Sequence, residues 1–351
     1  MPYPIMQWAD IATNYHRGTI VLGNGASIAV SSRFAYDSLL KHVQNRGLLT
    51  DDVNSLFQFF RTSDFELILR LVWQAFNVNK SLRIPDYRTH QAYLNVRDCL
   101  IQAVRDVHPD YGQISDQLPS MYQFLRSFDT VLSLNYDLLV YWTMTYGLNV
   151  PDNHKFKDCF LGNGAFDDTW RRFRLPLNEL SNTLVFYPHG SLALYRNAVE
   201  QEFKIHNTGA GGLLEKIIEE WRSELCVPLF VSEGTMQQKV SSIQSSYYLS
   251  TVYREVLTSP RETLTLYGWG LGEHDQHLLK RMHGTGIQRV AVSVFRYDQY
   301  YCNYAHQVIQ SHLGPIHVTF FDSESPGCWI HAIPHDRQDE EKTDRTKLWS
   351  S

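Results

Sequence analysis

Thr19-Ile20-Val21-Leu22-Gly23-Asn24-Gly25-Ala26-Ser27 is the stretch whose reading decides the fold. A β-branched, apolar run reads as a buried strand, and it breaks into a small glycine-containing turn before helical spacing resumes. Glycines at such a corner let the backbone approach a ligand closely, and amides that open the next helix favour an anion. The same spelling also suits a tight strand-to-helix connection that binds nothing. Its company in the chain has to separate the two readings.

Outward from this corner, the strand is expected over 18–22 and helical structure over 28–45. Leu56, Phe59 and Phe60, then Phe65, Ile68, Leu69, Val72, Trp73 and Phe76 recur at three- and four-residue steps, as do Tyr93, Leu94, Val96, Leu100, Ile101 and Val104. Ser63-Asp64-x-Glu66 fits a helix start, and Pro85, Pro109 and Pro119 separate helices. The next strand, 128–134, ends in Asn135-Tyr136-Asp137 before helical spacing over 138–146. Residues 151–180 read as irregular, with Gly162-Asn163-Gly164-Ala165 a surface turn. A strand over 183–187 runs into Pro188-His189-Gly190-Ser191, followed by a hairpin over 192–206 and a glycine-rich loop at 209–212. Further strands are expected at 228–231, 263–267, 289–295 and 317–321, with helices over 8–15, 213–225, 235–257, 276–282 and 299–312.

Strands alternating with helices in this way predict an α/β fold, Rossmann-like, with a mostly parallel sheet covered by helices on both faces. The expected organisation is one domain over 1–335, built from 18–44 and 128–335, with a helical insertion at 45–127 between the first two strands. The polar end, 336–351, reads as a tail. Hydrophobic residues at 43% and charged residues at 20% fit a globular chain of 351 residues. A net charge of -5 supplies no overall attraction to nucleic acid or an anionic membrane, so no nucleic-acid partner is expected. Five cysteines without a Cys-x-x-Cys pair argue against a disulfide framework and a thiolate zinc site. The start, Met1 to Trp8, lacks the pattern of a secretory signal, and no apolar run would span a bilayer, so a cytoplasmic protein is expected.

Function in a parallel sheet belongs at the carboxyl ends of the strands. Three corners stand there: Gly23 to Ser27, Asn135-Tyr136-Asp137 and His189-Gly190-Ser191, with Gly268 to Gly272 as a fourth. The glycine turn suits a diphosphate, Asn135 offers a fixed amide, and His189 offers a proton acceptor near neutral pH. Each has a plainer reading as a turn or cap, with Asp137 as N-cap of its helix. Their joint placement favours a site. His274-x-x-His277 has ligand spacing but no third ligand legible in the sequence, so no metal is expected. The serine-rich run 241–250 reads as a packed helix on Val240, Ile243, Tyr247 and Val252, and Trp170-Arg171-Arg172-Phe173-Arg174 as a solvated basic face.

In this order the motifs resemble the sirtuins, which carry Gly-Ala-Gly-x-Ser after the first strand, Gln-Asn-x-Asp, His-Gly and a later glycine-containing nucleotide loop. The chain is most similar to divergent bacterial sirtuin-like proteins, many of them phage-defence effectors, in which Ser-x-Asn-Tyr-Asp and Pro-His-Gly replace the deacylase versions. The paired cysteines of the deacylase zinc module have no counterpart here, and Leu134 stands where deacylases place glutamine. The resemblance therefore implies an NAD hydrolase that cleaves the nicotinamide-ribose bond to give nicotinamide and ADP-ribose, depleting NAD in antiviral defence, with no metal. It implies Asn135, His189 and Asp137 as catalytic residues and Gly23, Asn24, Gly25, Ser27, Gly268 and Gly270 as cofactor-binding residues. A homo-oligomer and a companion such as a HerA-type ATPase are the partners it implies. The reading from another class is a module that senses NAD or ADP-ribose without turnover, and a third is NAD-dependent protein deacylation.

Overall fold

The computed structural model describes residues 2–35, 38–175, 177, 179–206, 212–231 and 233–333. Residues 209–211 of the loop expected at 209–212 and the tail expected at 336–351 lie outside the described residues. Its strands are β1 (Ile5–Met6), β2 (Thr19–Leu22), β3 (Thr130–Ser133), β4 (His154–Lys157), β5 (Ser181–Phe186), β6 (Gly190–Asn197), β7 (Glu202–Lys204), β8 (Cys226–Phe230), β9 (Glu262–Tyr267), β10 (Ile287–Val294) and β11 (His317–Asp322). Eight of them form one sheet in the order β1-β11-β10-β9-β2-β3-β5-β4, with every neighbouring pair parallel. All four residues of β2 and all four of β3 are buried, as strands covered by helices on both faces require. The protein is thus α/β, with a Rossmann-like sheet flanked by helices.

From β2 the chain builds outward through β3 to β5 and β4, and later returns to the other side of β2 through β9, β10 and β11. The direction of winding reverses between β2 and β9, which is where open α/β sheets bind ligands. The glycine corner after β2 and the Gly268 corner after β9 therefore meet at the switch point.

Between β2 and β3 the described segment is helical, as its periodicity predicts. Asp51–Phe60, Phe65–Ser81 and Tyr87–Val107 are its long helices. Thr50, Asp64 and Asp86 cap them by accepting the amides of Val53, Leu67 and Thr89. The segment does not stand apart, since buried Glu66 lies 3.8 Å from Arg196 of β6 and the Trp73 indole donates to the Glu224 carbonyl just before β8.

The structure corrects several boundaries. β4 lies in the stretch expected to be irregular; its alternation is masked by lysines that an edge strand tolerates. β8 does not extend the parallel sheet. It pairs antiparallel with β6 in a second sheet, β7-β6-β8, whose edge position admits Pro228. The helix expected over 235–257 breaks at Ser245 and Ser246, where Ser246 caps a new helix, Tyr247–Thr251, by accepting the Leu249 amide. That break changes the phase of the buried face, so Tyr248 is in the core and Tyr247 is exposed. The basic cluster at 170–174 is anchored by a buried Trp170, over which Arg171 and Arg174 stack at 4.5 and 5.2 Å. All five cysteines are buried free thiols. Among the described residues no helix is long and apolar enough to cross a membrane.

Candidate functional site

A cleft of about 500 Å³ opens at the carboxyl ends of β2, β3 and β9. Gly23, Asn24, Gly25, Asn135, Asp137, His189, Gly268 and Gly270 all line it, so eight of the nine residues selected from the sequence share one wall or another of it. The ninth, Ser27, is buried directly beneath.

The glycines achieve this by packing backbone on backbone. A Cβ on Gly23 would lie 2.5 Å from the Trp269 Cα, and one on Gly25 would lie 2.8 Å from the Gly268 Cα. The Gly23 amide donates to the Tyr267 carbonyl at 2.9 Å and the Gly25 amide to the Gly268 carbonyl at 2.7 Å. Both amides expected to face a diphosphate are therefore engaged within the protein. The turn is also shorter than expected, because Gly23 is itself the N-cap and the helix Asn24–Val30 begins at once. These glycines lock the two loops of the switch point together and thereby shape the cleft.

Beneath that floor, Ser27 ties the second corner to the first. Its hydroxyl donates to Asp137 Oδ2 at 2.5 Å and accepts from Asn135 Nδ2 at 2.8 Å, while the same Asn135 nitrogen donates to the Gly23 carbonyl at 3.0 Å. With both N–H groups used, the carbonyl oxygen is what Asn135 has left for a ligand. Asp137 Oδ1 accepts the Leu139 amide, so both of its oxygens have protein donors and it braces the corner from the cleft wall. Burial pushes the Asp137 carboxyl up, against the pull of the Ser27 and Leu139 bonds. Ser27→Ala is expected to cost about 1–3 kcal/mol, since it leaves a buried carboxylate oxygen and an amide hydrogen without partners. Urea unfolding of the variant beside wild type checks this.

His108, from the helical segment, completes the bracing. Its Nδ1–H donates to the Pro109 carbonyl at 2.8 Å and its Nε2 accepts the Leu138 amide at 3.0 Å, which requires the neutral ring. Burial pushes its pKa down to about 4. As pH falls, the unfolded chain takes up this proton first, so stability present above the ordinary value near 6.5 is lost below it. The gap in unfolding free energy between wild type and His108→Gln is expected to narrow by about 2 kcal/mol from pH 7 to pH 5. Taking the difference cancels the opposite drift from buried Glu66, whose carboxyl burial pushes up to about 7.

His189 closes the cleft on the β5 side. Gly190, at φ +76°, permits the tight turn by which the chain leaves β5 for the second sheet, and a Cβ there would lie 2.3 Å from the Leu229 carbonyl oxygen. The His189 ring is 3% exposed, bonds the Leu134 backbone and leaves Nε2 without a partner among the described residues. Burial is the main cause that pushes its pKa down to about 3, so the ring is neutral. Asp275 Oδ1 lies 3.7 Å from that nitrogen and accepts from Lys239 Nζ at 2.8 Å. Burial pushes the Asp275 carboxyl up, but its electrostatic interactions with His189 and Lys239, together with the Lys239 hydrogen bond, outweigh it and hold the group below its usual range.

Sequence reasoning missed Lys239 and Glu233, which also line the cleft. The one signal for Lys239 was its place four residues before Ile243, a charged residue on the buried stripe of its helix. The two histidines of His274-x-x-His277 part company: His274 is exposed, whereas His277 is buried and turned toward His189, their ring centroids 6.0 Å apart.

No curated protein matches the chain. A family model described as Domain of unknown function (DUF4917) matches residues 20–329, from the first strand of the switch point to the segment that follows the last strand of the sheet. With the match running through every corner of the cleft, the chain belongs to the DUF4917 family.

Proposed function

We propose that the protein is an NAD hydrolase that cleaves the nicotinamide-ribose bond, yielding nicotinamide, ADP-ribose and a proton. The observation that carries this reading is that four residues lining one cleft each bury a polar atom without a partner among the described residues: His189 Nε2, Tyr136 Oη, Glu233 Oε2 and Trp269 Nε1. Unpaired groups of this kind are costly to bury, and a polyhydroxylated, amide-bearing ligand satisfies them. A second cavity of about 630 Å³, lined by Gly268, Trp269, Gly270, Phe295 and Tyr301, shares the 268–270 loop with the cleft and offers an aromatic berth for the adenosine end.

Departure of neutral nicotinamide leaves positive charge on the ribose, and water must then lose a proton as it adds. His189 Nε2 is the neutral acceptor for that proton or for one from a ribose hydroxyl, and Asp275 stands 3.7 Å away to stabilise the resulting imidazolium. The Asn135 carbonyl oxygen holds a ribose hydroxyl or the water, fixed by its amide's bonds to Gly23 and Ser27. Antiphage NAD depletion, with self-assembly or a companion ATPase, is the setting in which such a hydrolase is useful. Incubation of the pure protein with NAD, with nicotinamide followed by chromatography, tests the reading. Steady release is expected; NAD binding measured by calorimetry without release would replace hydrolysis by sensing.

A further inference from the structure

One cluster at the back of the cleft holds more than this chemistry uses. A ring nitrogen of His189, a carboxylate oxygen of Asp275 and a ring nitrogen of His277 all lie within 4.8 Å of one another, and His189 Nε2 is 3.7 Å from Asp275 Oδ1. His277 is 3% exposed, yet neither of its ring nitrogens has a hydrogen-bond partner among the described residues, and His189 Nε2 has none either. Three imidazole nitrogens without partners on two buried rings are costly as they stand, and a cation of suitable size satisfies one from each ring together with the carboxylate. Zinc bonds of about 2.0–2.2 Å place tetrahedral ligand atoms about 3.3 Å apart, so the 3.7 Å between His189 Nε2 and Asp275 Oδ1 needs little closure. His189 also has the outer partner that metal-bound histidines use: its other nitrogen is held by the Leu134 backbone, which fixes Nε2 as the lone-pair side.

We propose that His189, Asp275 and His277 form a site for a divalent cation of the zinc class, and that its occupancy switches the hydrolase off by capturing His189 Nε2. The second half rests on the hydrolase reading; the first does not. Lys239 Nζ, 2.8 Å from Asp275 Oδ1, neutralises the carboxylate when no cation is bound and competes with one. It sets the affinity: the site fills only when free metal is high enough to displace the ammonium from the shared oxygen. Two histidines and one carboxylate are a donor set that zinc, cobalt and copper accept and that calcium and magnesium do not.

The test uses the full chain, stripped with chelator and titrated with Co2+, followed by visible absorption and then by displacement with Zn2+. One equivalent of Co2+ is expected to give the absorption of a four- or five-coordinate site. His277→Ala is expected to weaken binding by about 100-fold, at least the loss caused by disturbing an outer partner. Lys239→Met is expected to tighten binding about tenfold or more, a gain that misfolding cannot produce. In the activity arm, Zn2+ stops nicotinamide release by wild type, whereas His277→Ala turns over NAD and no longer responds to Zn2+. Absence of the Co2+ band in wild type, or equal affinity in His277→Ala, overturns the site. Zn2+ binding that leaves turnover unchanged or raises it overturns the switch. A protein that binds Co2+ as described but never releases nicotinamide keeps the site and loses the hydrolase reading and its switch with it.

Discussion

His189→Gln is expected to lower the rate of nicotinamide release by about 10² to 10⁴-fold, the usual worth of a positioned general base. Glutamine has nearly the length of histidine, and its amide nitrogen can keep the bond to the Leu134 backbone, so the corner after β5 retains its shape. What disappears is the unpartnered basic nitrogen of a residue that lines the cleft. The loss should fall on kcat with little change in KM, because a proton acceptor acts in the transition state and contributes little to holding the bound substrate. Asn135→Ala is expected to be inactive for a different reason. It removes the ribose or water contact and also cuts the ties from the second corner to Gly23 and Ser27, so KM should rise as kcat falls. Saturation curves with NAD, run beside thermal melts, separate the two patterns. Wild-type turnover in both variants would sink the assignment of the site.

Gly268→Ala is expected to produce the largest loss of stability among single substitutions around the cleft. Gly268 sits at φ +64°, and a Cβ there would lie 2.3 Å from the Ala26 amide nitrogen and 2.7 Å from the Gly25 carbonyl carbon. Backbone atoms cannot swing aside as a flexible side chain can, so the two loops of the switch point must separate. A strained left-handed residue costs about 1–3 kcal/mol and overpacking about 1–3 kcal/mol more. The bond from the Gly25 amide to the Gly268 carbonyl is lost with them. A loss of about 2–6 kcal/mol in urea unfolding is therefore expected, with the cleft and any NAD binding lost before the sheet melts. Gly270→Ala is the control. A Cβ at Gly270 would meet nothing within 4 Å, and the variant should stay within about 0.5 kcal/mol of wild type.

The contrast between these two glycines shows where reading the sequence runs out. Gly268 and Gly270 are spelled alike in Gly268-Trp269-Gly270, and both suit a nucleotide loop. Only the partner across the switch point tells them apart, because the Gly25 and Ala26 backbone is close to one and not to the other. Gly23 and Gly25 carry the same lesson. Their spelling suggests a diphosphate cradle, but their amides are taken by Tyr267 and Gly268, residues more than 240 positions away in the chain. The long helix at 235–257 fails for a local reason: serines at 245 and 246 compete for backbone bonds, and a cap forms where the apolar spacing alone would continue the helix.

By itself the sequence determined the α/β layering, the strand ends and the candidates that line the cleft, because burial on both faces demands uninterrupted β-branched runs and the polar residues that end them stand out. It also marked Asn135 and His189 as the side chains with chemistry to offer. The tertiary structure alone decided that Ser27 works from below, that Asp137 spends both oxygens on the protein, and that His277 joins His189 while His274 turns to solvent. Hydrogen bonds and steric approach between residues from different strands have no local signature, so pairings such as Ser27 with Asp137 or Gly25 with Gly268 exist only once the sheet has brought its corners together.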